Sequence, residues 1–190
     1  MSISIIIIAK NEAPRIEACL RSVRFADEIV LVDSGSTDET IAIAREYADQ
    51  IIETEWRGYG PTKKIALDHA KCDWVLWLDA DETVPEDLRD EILAVVDTQE
   101  CYGYYIARKT LFLSQWIKHC GWYPDYVLRL FQRVADPQFT DEEVHESLHI
   151  EGPVGYLKNP MVHNTDPTLH HYFTKFNSFT SLAARQLYLS

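Results

Sequence analysis

Apolar positions fall into short runs broken by polar turns, and the kind of run changes near residue 100. Ile3–Ala9 is apolar at every position but Ser4, the pattern of a strand buried on both faces. A helix is predicted over 14–24, where Ile16, Leu20 and Val23 recur on one face. A second strand over 28–32 leads into Asp33-Ser34-Gly35-Ser36-Thr37-Asp38, which joins a permissive Gly to helix-capping candidates in Ser36 and Thr37. Helices over 40–48, 62–70 and 85–96 alternate with strands over 51–54 and 74–78, and Pro85 suits a first helical turn. This alternation predicts an α/β fold with a mostly parallel central sheet flanked by helices.

Beyond residue 100 the pattern is mixed. Strands are predicted over 102–107, 126–131, 144–150 and 154–157, with Trp116, Trp122 and Tyr123 in an aromatic connection. A helix over 170–189 follows, with a broad face of Tyr172, Phe173, Phe176, Phe179, Leu182, Ala183 and Leu187. It is expected to pack on the sheet along Phe173, Phe176 and Leu187. Any apolar strip left over would be covered by further sequence, a second chain or a lipid-linked acceptor. No cap signal ends this helix, so the chain reads as a fragment or as incomplete in its last element. With no linker or repeat, 1–190 is expected to form one domain with halves at 1–100 and 101–190.

Composition narrows the function. A hydrophobic fraction of 46% and a charged fraction of 25% suit a soluble globular protein. A net charge of −12 argues against nonspecific nucleic-acid binding, although Lys63-Lys64, Arg129 and Arg133 remain candidates for a local basic pocket. Cys19, Cys72, Cys101 and Cys120 show no metal-binding or disulfide spacing, which fits reduced thiols in a cytoplasmic protein. The N-terminal apolar run lacks a basic leader and is cut by Lys10-Asn11-Glu12, so it reads as a core strand and not a signal peptide. No run approaches the ~20 apolar residues of a membrane span; peripheral contact with the inner face of a membrane remains open.

The chemistry gathers where predicted strands end. Trp74-Val75-Leu76-Trp77-Leu78 is followed by Asp79-Ala80-Asp81-Glu82, and carboxylates two residues apart in extended backbone address one side. Open α/β sheets bind ligands beyond the carboxyl ends of their strands. Hard oxygen ligands there suit Mg²⁺ or Mn²⁺, held by one or two carboxylates plus substrate phosphates. Two further polar loops, Ala9-Lys10-Asn11-Glu12 and the one starting at Asp33, leave the same predicted edge. Each loop alone reads as a helix cap; three together favour a ligand crevice.

These residues resemble those of family 2 glycosyltransferases of the GT-A fold. The resemblance rests on Ile5 through Glu12, Ile29 through Asp38, Lys63-Lys64-Ile65-Ala66-Leu67 and Trp77 through Glu82. Trp122 through Phe131 and Val144-His145-Glu146 are similar to bacterial enzymes that add sugars, often glucose, to lipopolysaccharide core or surface glycans. The resemblance implies a nucleotide-sugar-binding half over 1–100 and a smaller acceptor-side half over 101–190. It implies that Ala9, Asn11, Glu12 and Asp33 hold the base and ribose of a UDP-sugar, with Lys63 and Ala80 near the donor. It further implies that Asp81 binds Mg²⁺ or Mn²⁺ on the diphosphate, that Asp79 touches ribose or metal, and that His163 is a further candidate metal ligand. An inverting transfer to a hydroxyl of a glycan or lipid-linked acceptor needs a general base. Glu146 is the first candidate and Asp141 the second. Two other readings stay open: a catalytically silent nucleotide- or glycan-binding module of this fold, and a nucleotidyltransferase. The latter would ordinarily carry a Gly-rich basic loop where this chain has Ala9-Lys10-Asn11-Glu12-Ala13.

Overall fold

The computed structural model describes residues 1–140, 147–166 and 168–189, apart from the side chains at 185–187 and 189. Asp141, Val144, His145 and Glu146 lie outside the described residues, as does the side chain of Leu187. Strands β1 (Ile3–Ala9), β2 (Glu28–Asp33), β3 (Gln50–Glu53) and β4 (Trp74–Asp79) alternate with α1 (Ala13–Ser22), α2 (Thr40–Ala44) and α3 (Tyr59–His69). They lie parallel in the order β3-β2-β1-β4. Alternate residues of one strand feed two cores. Ile5, Ile7, Leu76 and Leu78 meet Ile16 and Leu20 on one face, while Ile6, Val75 and Trp77 meet Ala66 and Leu67 on the other. Burial on both faces is why the strand sequences show no polar alternation.

The chain continues through β5 (Glu82–Thr83), α4 (Glu86–Thr98), β6 (Gly103–Phe112), β7 (Gln115–Trp116) and β8 (Asp125–Gln132). Then come β9 (Gln138–Phe139), β10 (Leu148–His149), β11 (Val154–Tyr156), β12 (Met161–Asp166) and α5 (Leu169–Leu189). Strand β8 slots antiparallel between β4 and β6, extending the sheet to β3-β2-β1-β4-β8-β6-β12-β5. Both β7 and β11 also pair with β6, and β9 with β10 forms a separate two-stranded ladder.

Three local expectations change. The strand predicted over 102–107 runs on to Phe112, because Arg108 through Leu111 pair with Met161 through Asn164 of β12. Ser36 and Thr37 do not cap α2: Ser36 hydrogen-bonds to Asp33, and Thr37 to Asn11. The last helix does not pack along Phe173 and Phe176, which are 58% and 49% exposed. Its inward stripe is Tyr172, Lys175, Phe179 and Leu182, the i, i+3, i+7, i+10 spacing of one helical face. Tyr172 meets Phe112 edge-on at 5.2 Å, and Phe179 stacks on Tyr59 at 6.3 Å.

Glu28, the first residue of β2, fastens the edge of the sheet opposite the carboxyl ends of the strands. Its buried carboxylate accepts hydrogen bonds from Ser4 Oγ at 2.6 Å, the Lys71 amide at 2.8 Å and Gln50 Nε2 at 2.9 Å. Burial alone would raise its pKa, but these donors outweigh it and hold the carboxyl below its ordinary value of 4.5. The stabilisation is therefore full above pH 4.5 and fades as pH falls through the depressed folded value. Glu28→Gln should cost about 1.5–3 kcal/mol at neutral pH. Denaturant titrations of both proteins should show that difference shrinking as pH falls below 4.5. A gap that stays constant with pH would mean that the charge of Glu28 contributes nothing.

Candidate active site

Strands β1, β2 and β4 end along one edge of the sheet, as parallel neighbours must. Their loops bring Ala9, Glu12, Ser34, Asp79, Ala80 and Asp81 to a cleft of about 710 Å³. Arg108 of β6, Val127 and Arg129 of β8 and His163 of β12 also line it. Lys175, Phe179 and Leu182 reach it from α5, and Trp56 with Tyr59 from the entry to α3. Trp56 and Tyr59 meet edge-on at 4.8 Å, making an aromatic part of the lining.

A buried ion cluster forms the floor. Arg129, fully buried, donates from one Nη2 to Asp79 Oδ2 at 2.9 Å and to Glu82 Oε1 at 2.6 Å. Its guanidinium lies 3.4 Å from the centre of the Trp77 ring. Lys63, also buried, places Nζ 3.2 Å from Asp79 Oδ1 and 3.7 Å from the Trp77 ring centre. Each oxygen of Asp79 thus faces a protein cation. Burial opposes its ionisation, but Lys63 and Arg129 prevail and hold the carboxyl far below the usual carboxylate range. Glu82 moves the other way: burial dominates, and the charge of Asp79 raises it further against the pull of Arg129. Its Oε2 accepts the Asp79 amide at 2.9 Å, closing the turn between β4 and β5.

Asp81 has a different setting. Its Oδ2 is 3.4 Å from His163 Nε2. Burial raises its pKa, but the hydrogen bond and charge of His163 more than offset this, so the carboxylate is the favoured form. The Asn164 amide donates to the Asp81 carbonyl at 2.9 Å, and His163 pairs with Glu82 across β12 and β5. A strand more than 80 residues away in sequence thus supplies the imidazole facing this acid.

The two neighbouring loops lock each other. Asp33 is buried; its Oδ1 accepts the Gly35 and Ser36 amides at 2.9 and 2.8 Å, and its Oδ2 accepts Ser36 Oγ. Asn11, in the left-handed region at φ 56°, accepts the Thr37 amide on Oδ1 at 2.8 Å. Glu12 is held by Arg15 at 2.6 Å, and burial raises its pKa. Of the residues expected at the donor or metal, Ala9, Glu12, Asp79, Ala80, Asp81 and His163 line the cleft. Asn11 and Asp33 shape its rim instead, and Lys63 lies behind Asp79. Arg133 binds the Ala70 carbonyl and Lys64 pairs with Asp68, so neither belongs to the cleft lining.

Sequence reasoning did not find Trp56, Tyr59, Arg108 or Lys175. The sequence pattern assigns Glu82 no role of its own. A signal for Arg129 was present, because an arginine inside the otherwise apolar Val127 to Phe131 run demands buried acids. Among the described residues no three His, Cys, Asp or Glu side chains gather as a metal cage. One carboxylate and one imidazole do converge at Asp81 and His163. That donor pair suits an ion whose other positions are filled by phosphate oxygens and water.

Comparison with known proteins shows the family and the fold. The family model for glycosyl transferase family 2 matches residues 4–133. The lipopolysaccharide core biosynthesis glycosyltransferase LpsC of Rhizobium meliloti is 32% identical over 200 residues, spanning 98% of this chain and 72% of that protein. An uncharacterized glycosyltransferase of Rickettsia bellii is 44% identical over 98 residues, 51% of this chain and 33% of its own. Among solved structures, S. aureus TarS 1-349 in complex with UDP-GlcNAc aligns over 90% of this chain and 61% of that one. The TM-score is 0.68 at 18% identity, a likeness of fold. The fold is accordingly GT-A, and the chain belongs to glycosyl transferase family 2.

Proposed function

We propose that this chain transfers a sugar from a UDP-sugar, with UDP-glucose a first choice, to a hydroxyl of a glycan or lipid-linked acceptor. We place the reaction in lipopolysaccharide or surface-glycan assembly, supported by the similarity to LpsC along nearly the whole chain. The observation carrying the reading is the division of the two aspartates: Asp79 faces Lys63 and Arg129, while Asp81 turns its ionised carboxylate to His163 and the cleft. Mg²⁺ or Mn²⁺ held by Asp81 and His163 would neutralise charge on the departing diphosphate. Asp79, already matched by two cations, serves to position Arg129 and the turn carrying Asp81 and contacts the ribose edge of the donor.

The other residues bind and orient. Ala9, Glu12 and Ser34 border the base and ribose, in loops kept in register by Asp33 and Asn11. Arg108 and Lys175 add positive charge to a cleft that must receive a diphosphate. Trp56 and Tyr59 exclude water along their part of the lining, which strengthens the electrostatic contacts within. Glu146 accepts the proton of the attacking hydroxyl in an inverting displacement, with Asp141 second in line.

Two measurements test these roles. Calorimetry should show UDP binding at least about tenfold tighter with Mn²⁺ than with EDTA, a difference of roughly 1.4 kcal/mol. In Asp81→Asn the two affinities should coincide. Equal affinities in the unaltered protein would remove the metal from the proposal. Separately, Glu146→Gln should keep UDP affinity while lowering transfer by about 10²–10⁴-fold, the range of a lost general base. Unchanged transfer in that variant would move the base to Asp141 or to another group.

A further inference from the structure

Two stretches of this acidic chain, 101–124 and 167–190, contain no Asp or Glu. Together they hold five of its 18 Lys and Arg residues and none of its 30 acids. The fold sets them side by side. Phe112, at the end of β6, meets Trp122 edge-on at 5.9 Å and Tyr172 of α5 at 5.2 Å. Tyr172 continues the contact to Phe173 at 5.4 Å and Phe176 at 6.1 Å. In the adjoining hairpin Trp116 meets Tyr123 at 5.5 Å, and the ammonium groups of Lys109 and Lys118 lie 4.1 and 4.8 Å from the Trp116 ring centre. Trp116, Phe173 and Phe176 are all exposed.

This mixture has a direction. Surfaces covered by another protein are depleted of lysine at their core, whereas here lysines sit directly on an exposed tryptophan. Indole and phenol rings favour the headgroup layer of a bilayer, phenylalanines reach the acyl boundary, and lysine side chains extend to lipid phosphates. The acids nearest this face, Asp125 and Asp166, are engaged by Arg108 and His171. An anionic surface would therefore attract Lys109 and Lys118 and repel the acid-rich remainder of the chain, and contact would be oriented. Among the described residues no helix is long and apolar enough to cross a membrane, so such contact would lie on the bilayer and not through it.

We propose that the surface formed by Trp116, Lys109, Lys118, Phe173 and Phe176 seats this protein on an anionic phospholipid bilayer. Another face of the same helix, at Lys175, Phe179 and Leu182, lines the cleft. Seating α5 therefore places the cleft mouth at the headgroup layer, where the hydroxyl of a membrane-anchored acceptor would be presented. The binding is independent of the donor assignment and is measured without nucleotide.

The test is co-sedimentation with vesicles of phosphatidylcholine alone or mixed with phosphatidylglycerol. The protein should sediment with the mixed vesicles, be released by added salt and ignore the neutral ones. Lys109→Gln with Lys118→Gln should weaken partitioning roughly thirtyfold, about fivefold per cation. Phe173→Ser with Phe176→Ser should weaken it about tenfold or more through lost apolar insertion. Circular dichroism and thermal denaturation check that each variant folds, and none of these residues lines the cleft. Absence from the mixed-vesicle pellet, equal binding to neutral vesicles, or folded variants that bind as the parent does would each overturn the proposal. So would a dimer in sedimentation velocity that the phenylalanine variant dissolves, because a second copy would then cover this face.

Discussion

A guanidinium with no solvent exposure, in the middle of the main sheet, constrains everything around it. Removing such a cation from water costs several kcal/mol unless acids meet it with good geometry. Asp79 and Glu82 meet Arg129, and the Trp77 ring lies beneath its plane. Both acids belong to the turn between β4 and β5, so the arginine of an antiparallel neighbour fixes the backbone from which Asp81 projects. Lys63 completes the arrangement from α3 on the remaining oxygen of Asp79. The floor is therefore held by charge from the β4–β5 turn, β8 and α3.

That constraint explains why two aspartates two residues apart have different surroundings. Asp79 is engaged on each oxygen by a cation, which holds its pKa far down. Asp81 lies two residues on in the same turn, against an imidazole delivered by β12, with its backbone carbonyl tied to Asn164. The mixed half of the chain thus completes a site that the parallel half begins. Helix α5 then lines the cleft with one face and leaves Phe173 and Phe176 exposed on another.

Much of this was legible before any coordinates, for a physical reason. Strands β1, β2 and β4 are buried on both faces, so their continuous apolar runs mark their limits within a residue, and polar loops at their ends mark the ligand edge. The fold class followed from that alternation and from the family resemblance. What escaped depends on contacts distant in sequence. Arg129 finds Asp79 across 50 residues, and His163 finds Asp81 through strand pairing that no local pattern encodes. The strand predicted over 102–107 stops before the polar Arg108 and Lys109, yet β12 pairs with both. The aromatic face of α5 was visible as a set, but helical periodicity alone could not tell which rings turn inward. Phe179 does, while Phe173 and Phe176 do not.

The central claim is that Asp81 with His163, and not Asp79, holds the ion that accompanies the donor. Crystals grown with UDP and Mn²⁺ would test it directly through anomalous scattering at the manganese edge. The account predicts one peak at about 2.2 Å from an Asp81 oxygen and the His163 imidazole, a usual coordination distance. UDP phosphate oxygens should complete the shell, with Asp79 still hydrogen-bonded to Arg129. A peak on Asp79 with Arg129 displaced, or ordered UDP with no peak at Asp81, would contradict it.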